Sequence, residues 1–110
     1  MRLPNAEEAI VDERKLREYC LSREHPRGRH KARVFASELG LSAEDSHEVA
    51  LALKRAATEN DSLPGISDFY GDRYIIDFIW RRTGREATVR SIWIVLREES
   101  VPRFVSCFIP

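Results

Sequence analysis

The sequence predicts an α+β domain: three N-terminal helices followed by an antiparallel meander of three to four strands. Three observations carry that prediction. Apolar residues recur at helical spacing as far as Thr58. From Arg73 onward the apolar period changes to two, and β-branched and aromatic residues dominate. Between two such β-rich runs lies Thr83-Gly84, a pair suited to a two-residue hairpin turn. With 110 residues the chain suits a single domain, 1–110, with a core of useful size.

Ala9-Ile10-Val11 reads as a short strand or extended lead-in. Asp12 is a good helix N-cap, and Leu16, Tyr19 and Cys20 follow at helical spacing, which predicts a first helix over 12–22. It should stop there because Pro26 disfavours helix at the preceding residue. A second helix is predicted over 29–39, with Ala32, Phe35, Ala36 and Leu39 on one face and Gly40 as its left-handed stop. The third, over 43–58, opens on Ser42-Ala43-Glu44-Asp45, which resembles a capping box with Asp in the Glu position. Residues 59–69 read as a loop with a turn at Pro64-Gly65. Strands are expected over 73–81, 87–96 and 103–109. A turn at Thr83-Gly84 places Asp77 opposite Arg90, Tyr74 opposite Trp93 and Phe78 opposite Val89. An opposite-charge pair and an aromatic pair then fall into register together. The face with Ile76, Phe78, Val89 and Trp93 is the bulkier and is expected to face the helices. The other, mixing Arg73, Asp77 and Arg90 with Ile75 and Ile92, suits a partly covered binding face.

Formal net charge is zero, but its distribution is uneven. Residues 23–33 hold 5 basic and 1 acidic side chains, residues 38–72 hold 2 and 8, and residues 73–90 hold 5 and 2. Two basic blocks flank an acidic one, so folding can build a positive patch that the total hides. No stretch is apolar enough to span a membrane or serve as a secretion signal, which makes the cytoplasm the expected compartment. Cys20 and Cys107 read as reduced, half-buried small hydrophobes, since nothing suggests an oxidising compartment. No phosphate-binding loop, dinucleotide fingerprint or nucleophile elbow is present, and neither a cofactor nor a metal is expected.

The candidate site is the stretch SREHPRGRHKARVF, residues 22–35. Arg29, His30 and Lys31 stand at a helix start, where positive charge opposes the helix dipole. A bound anion, or an acidic neighbour such as Asp61 or Asp68, would reverse that sign. His25 and His30 supply imidazoles suited to proton transfer near neutral pH. Cleavage of RNA by its own 2′-hydroxyl needs a base, an acid and cations for the phosphorane charge, and His with Arg and Lys makes that set. The catalytic candidates are therefore His25, Lys31 and Arg73. Arg27, Arg29, His30 and Arg90 are candidate anion-binding residues.

Three segments, LSREHPRGRHKARVFASELG, YGDRYIIDF and VRSIWIVLREESVPRFVSCFI, resemble a small prokaryotic family known as domain of unknown function 6883. Its pattern resembles L-x-x-x-H-P-x-G-x-x-K-A-x-x-F, then Y-G-x-x-Y, then a W-I-V strand. Among the matching positions, Pro26, Gly28 and Gly71 read as backbone devices, and Ala32, Phe35 and Trp93 as core. His25 and Lys31 are the polar ones without an evident folding role. The order of helices then meander also resembles barnase- and colicin-type ribonuclease toxins, where an antiparallel sheet carries the active site on one face. The resulting expectation is a cytoplasmic, toxin-like domain that binds RNA or cleaves it, without metal if it is an enzyme, and that has a small neutralising partner protein. The alternative is a non-catalytic interaction module docking an acidic partner through the basic loop.

Overall fold

The computed structural model describes all 110 residues. Helix α1 starts at Asp12, whose Oδ1 accepts the Arg14 backbone N–H at 3.0 Å. It runs as an α-turn over Glu13–Lys15 and widens into a π-helical turn over Leu16–Cys20. The expected continuation to Ser22 does not form. Leu16, Cys20 and Leu21 are all buried, and their spacing is too broad for one α-helical stripe. The wider turn, closed by Leu21 N–H donating to the Leu16 carbonyl at 2.8 Å, brings all three inward. Helix α2, Arg29–Leu39, has the expected bounds and ends on Gly40 at φ 66°. Helix α3, Ser46–Glu59, follows a 3₁₀ turn, Ala43–Asp45, and the predicted capping box is present.

The sheet has four antiparallel strands in the order β1 (Leu63–Ser67), β2 (Gly71–Arg82), β3 (Arg85–Leu96) and β4 (Arg103–Phe108). β2 and β3 pair continuously from Gly71 opposite Leu96 to Arg82 opposite Arg85. The pairs Asp77–Arg90, Tyr74–Trp93 and Phe78–Val89 are all in the predicted register. Thr83 and Gly84 both have positive φ, 47° and 78°, as a type I′ turn requires. One expectation for the sheet is corrected. The segment read as a loop with a Pro64-Gly65 turn is strand β1. It lies at the sheet edge, where a missing proline N–H is tolerated. The turn lies instead at Asp68, whose Oδ1 accepts the N–H groups of Tyr70 and Gly71. Near residue 10 there is no strand, only a parallel bridge between Ile10 and Arg103.

The helices pack on the face of β2 and β3 that carries Ile76, Phe78, Val89 and Trp93, all buried. Trp93 lies edge-on to Phe104 with ring centroids 5.8 Å apart. Its indole N–H donates to Ser91 Oγ at 3.0 Å, and that hydroxyl donates to the Ile76 carbonyl at 2.9 Å. Ser91 thus satisfies two polar groups inside the core. At the hairpin end, Arg82 donates to Glu48 at 2.8 Å and to the Leu39 carbonyl at 3.0 Å, joining the turn to α2 and α3.

Two predictions follow from this packing. Ser91→Ala leaves the Trp93 N–H buried without an acceptor, so urea unfolding should show a loss of about 1–3 kcal/mol. Asp77 and Arg90 form a two-bond ion pair at 2.9 Å on the opposite, half-exposed face. Asp77→Ala should therefore cost less than about 1 kcal/mol in the same assay. A larger loss would place that pair in a buried network.

Candidate functional site

The basic stretch is built as a tight, main-chain-bonded corner between α1 and α2. Ser22 Oγ accepts the N–H groups of Glu24 and His25 at 3.3 and 3.2 Å. The His25 Nδ1 accepts those of Arg27 and Gly28, both at 3.0 Å. His25 therefore has a folding role that its sequence context does not reveal: its ring caps the turn that launches α2. A ring whose Nδ1 accepts two backbone hydrogens carries its proton on Nε2 in the neutral form. The same ring stands edge-on to Tyr19, centroids 4.7 Å apart. Gly28 allows the corner to close. A Cβ there would overlap the Tyr19 carbonyl.

Lys31 projects from the first turn of α2 toward β4. Its Nζ lies 3.5 Å from Ser106 Oγ, 5.2 Å above the Tyr19 ring and 5.3 Å from the Phe108 ring centre. It has no carboxylate partner. Two aromatic faces and one hydroxyl hold the ammonium group. Lys15 stands nearby on α1 and donates to the Phe104 carbonyl at 3.0 Å. A shallow concavity of about 310 Å³ opens beside these groups, lined by Asp12, Arg14, Lys15, Glu18, Tyr19 and His25.

The remaining cations differ in pairing, and outside the corner Lys54, Arg55 and Arg85 also hold no carboxylate. In the sheet, Arg73 binds Asp68 at 2.8 Å, Arg90 binds Asp77, Arg82 binds Glu48 and Arg103 binds Glu99. Arg23, Arg27, Arg29 and Arg33 are exposed, and none of them makes an ion pair. His30 is exposed beside them. No acidic residue occupies the first turn of α2. Asp61 is bonded to Arg2, and Asp68 to Arg73, so neither compensates the opposed dipole. The structure brings together His25, Lys31, Arg27, Arg29 and His30 at one corner. Arg73 and Arg90 lie on the sheet face away from the helices, each tied to its own aspartate, and share no hydrogen bond or ion pair with residues 25–31.

Sequence reading did not single out Tyr19, Ser106 or Lys15 as neighbours of this corner. Tyr19 and Cys20 read from the sequence as part of a helical stripe. The bond from Lys31 to Ser106 spans 75 positions, and only the docking of β4 against α1 and α2 creates it. No curated protein matches the sequence. The fold is similar to a chain of a contact-dependent growth inhibition toxin–immunity protein complex from Klebsiella pneumoniae 342. The two chains are 18% identical, over 92% of this chain and 99% of that one, with a TM-score of 0.67. At that identity the likeness is one of fold. The family model for the domain of unknown function 6883 matches residues 2–110, essentially the whole chain, and the protein belongs to that family.

Proposed function

We propose that this domain is toxin-like and binds RNA through the corner between α1 and α2. The observation that carries the reading is the contrast in charge pairing. The sheet arginines at 73, 82, 90 and 103 hold carboxylates, whereas Arg23, Arg27, Arg29, Lys31 and Arg33 hold none. Five uncompensated cations beside a helix N-terminus suit a run of phosphates. Exposed Arg27 and Arg29 would contact the backbone, and Lys31 would add a fixed charge deeper in. His25 would donate its Nε2–H to a phosphate oxygen. Cleavage by the 2′-hydroxyl needs a proton acceptor as well. His25 can serve as one only by releasing the Arg27 and Gly28 N–H groups, so phosphodiester binding is the function this geometry supports best. A small acidic partner protein that neutralises the domain would cover the same corner. The kinship in fold with a chain of a toxin–immunity complex supports such a partner.

Fluorescence anisotropy with a single-stranded RNA across a salt series tests the reading. Binding should weaken steeply with salt, with a log–log slope of roughly −0.7 per phosphate contact. An Arg27→Ala/Arg29→Ala double variant should flatten that slope by about 1.4. No binding at low salt, or a slope indifferent to both arginines, would favour the docking of an acidic protein instead. Any cleavage should survive a metal chelator.

His25 separates the folding role from the binding role. His25→Ala removes the acceptor of two backbone N–H groups and should lower stability by about 1–2 kcal/mol. His25→Asn can restore that acceptor through its side-chain oxygen, as Asx turns do. It should recover most of the stability while lacking the outward Nε2–H. Chemical unfolding measured beside RNA affinity for both variants distinguishes the two roles.

A further inference from the structure

The outer edge of β2 is only partly covered. β1 pairs with β2 from Asp72 to Ile75, so the stretch from Ile76 to Arg82 has β3 on one side and no strand on the other. A two-residue turn makes Arg82 and Arg85 a hydrogen-bonded pair. Antiparallel ladders alternate, so Trp80 and Phe78 also bond to β3. The N–H and C=O groups of Asp77, Ile79 and Arg81 therefore point out of the sheet edge, where no loop or turn bonds to them. The side chains of these three residues stand on the face away from the helices. All three are exposed, Ile79 to 63%. An uncovered edge with an apolar residue at its centre is a template for another strand. Beside it, a cavity of about 620 Å³ opens between α3 and the sheet, lined by Ala52, Ala56, Phe78 and Trp80 among others.

We propose that this edge joins two copies of the chain, with β2 pairing antiparallel to β2 of the second copy about a two-fold axis at Ile79. The edge is self-complementary in that register. Ile79 faces Ile79 of the second copy, Asp77 faces its Arg81, and Arg81 faces its Asp77. All three positions turn their free backbone groups toward the axis, so each N–H meets a carbonyl across it. Asp77 already binds Arg90, and Arg81 binds Glu86. Across the joined sheets one row then reads Arg90, Asp77, Arg81, Glu86 with alternating sign, and the two-fold axis produces that row twice. On the helix face the same register sets Phe78 opposite Trp80 of the second copy, an aromatic pair of the kind that supports strand pairing. Other registers lose this match. A shift by two residues in either direction sets a charge against Ile79. A shift by four brings Asp77 to Asp77 or Arg81 to Arg81, and like charges directly opposite are destabilising. Charge complementarity thus selects the second copy and the register together. The basic corner lies against β4, at the other edge of each sheet, and stays open.

The proposal is independent of RNA binding and is tested without RNA. Sedimentation velocity of the wild-type protein over a micromolar to millimolar series should show the mass rising from 12.7 kDa toward twice that value. Ile79→Lys sets like charges at the axis and should weaken the dimer by about tenfold or more. Because the position is exposed, that variant should keep its fold, read as an unchanged circular dichroism spectrum. Arg81→Glu, which faces Asp77 of the second copy, should weaken the dimer several-fold. Ile79→Cys reads the register. Hydrogen-bonded cross-strand partners have Cα atoms about 5.5 Å apart, within disulfide reach. Mild oxidation should therefore convert that variant to a disulfide-linked dimer, and dithiothreitol should reverse it. Thr88→Cys, exposed on the same face but one strand further from the axis, should stay uncross-linked. The native Cys20 and Cys107 are free and fully buried rather than half-buried, which keeps them out of this reaction. A protein that stays monomeric at every concentration would overturn the proposal and leave the edge to a strand of some other protein. A dimer that survives Ile79→Lys, or Thr88→Cys cross-linking as readily as Ile79→Cys, would equally overturn it.

Discussion

The β2–β3 ladder is the constraint on which the rest of the molecule depends. Its partners run without interruption from Gly71 and Leu96 to Arg82 and Arg85. Side chains alternate along each strand, so a slip of one residue would turn Ile76, Phe78, Val89 and Trp93 toward solvent. The type I′ turn at Thr83-Gly84 and the Asp77–Arg90 pair both specify the observed register. With the ladder fixed, one face is apolar enough to collect the helices. β1 and β4 then add at the two edges. Arg82, at the far end of the ribbon, closes the structure by reaching Glu48 of α3 and the end of α2.

The placement of the basic corner follows from this scaffold. α2 packs against β3 and β4, which brings the start of α2 over the β4 edge. Lys31 there meets Ser106 and Phe108, while Tyr19 arrives from the wide turn of α1. The arginines beside Lys31 are exposed and hold no carboxylate. Five of the eight acidic residues of the central block, Asp45, Glu48, Asp61, Asp68 and Asp72, are paired elsewhere, with Arg2, Arg73, Arg82 and Arg97. Zero net charge thus coexists with a local surplus, since neutralisation is spatially segregated.

Elements with a strong local signal were legible in the sequence. α2 has its stripe and Gly40, α3 its capping box, and the hairpin its turn pair with matched cross-strand residues. Elements shaped by tertiary context were not. β1 contains Pro64 and Gly65, whose local preference is a turn, and becomes a strand only because β2 offers a free edge. The widening of α1 reflects the need to bury Leu16, Cys20 and Leu21 together. At the site, the basic cluster was legible from composition. The capping role of His25 was not, because nothing in the order of residues tells which ring nitrogen faces the main chain. The proximity of Cys20, Ser106 and Lys31 depends on contacts between the two ends of the chain, beyond the reach of periodicity.

The close approach of Gly28 to the Tyr19 carbonyl has a consequence for how such a domain can diversify. The corner is held by main-chain atoms, one glycine, one imidazole and one hydroxyl. Arg23, Arg27, Arg29 and Arg33 take no part in holding it. Their identities can therefore drift with little penalty to folding, while the loop keeps its shape. In the proposed function, recognition is written on a layer of side chains that the scaffold does not read. A lineage under pressure to change or escape a binding partner can rewrite that layer one residue at a time.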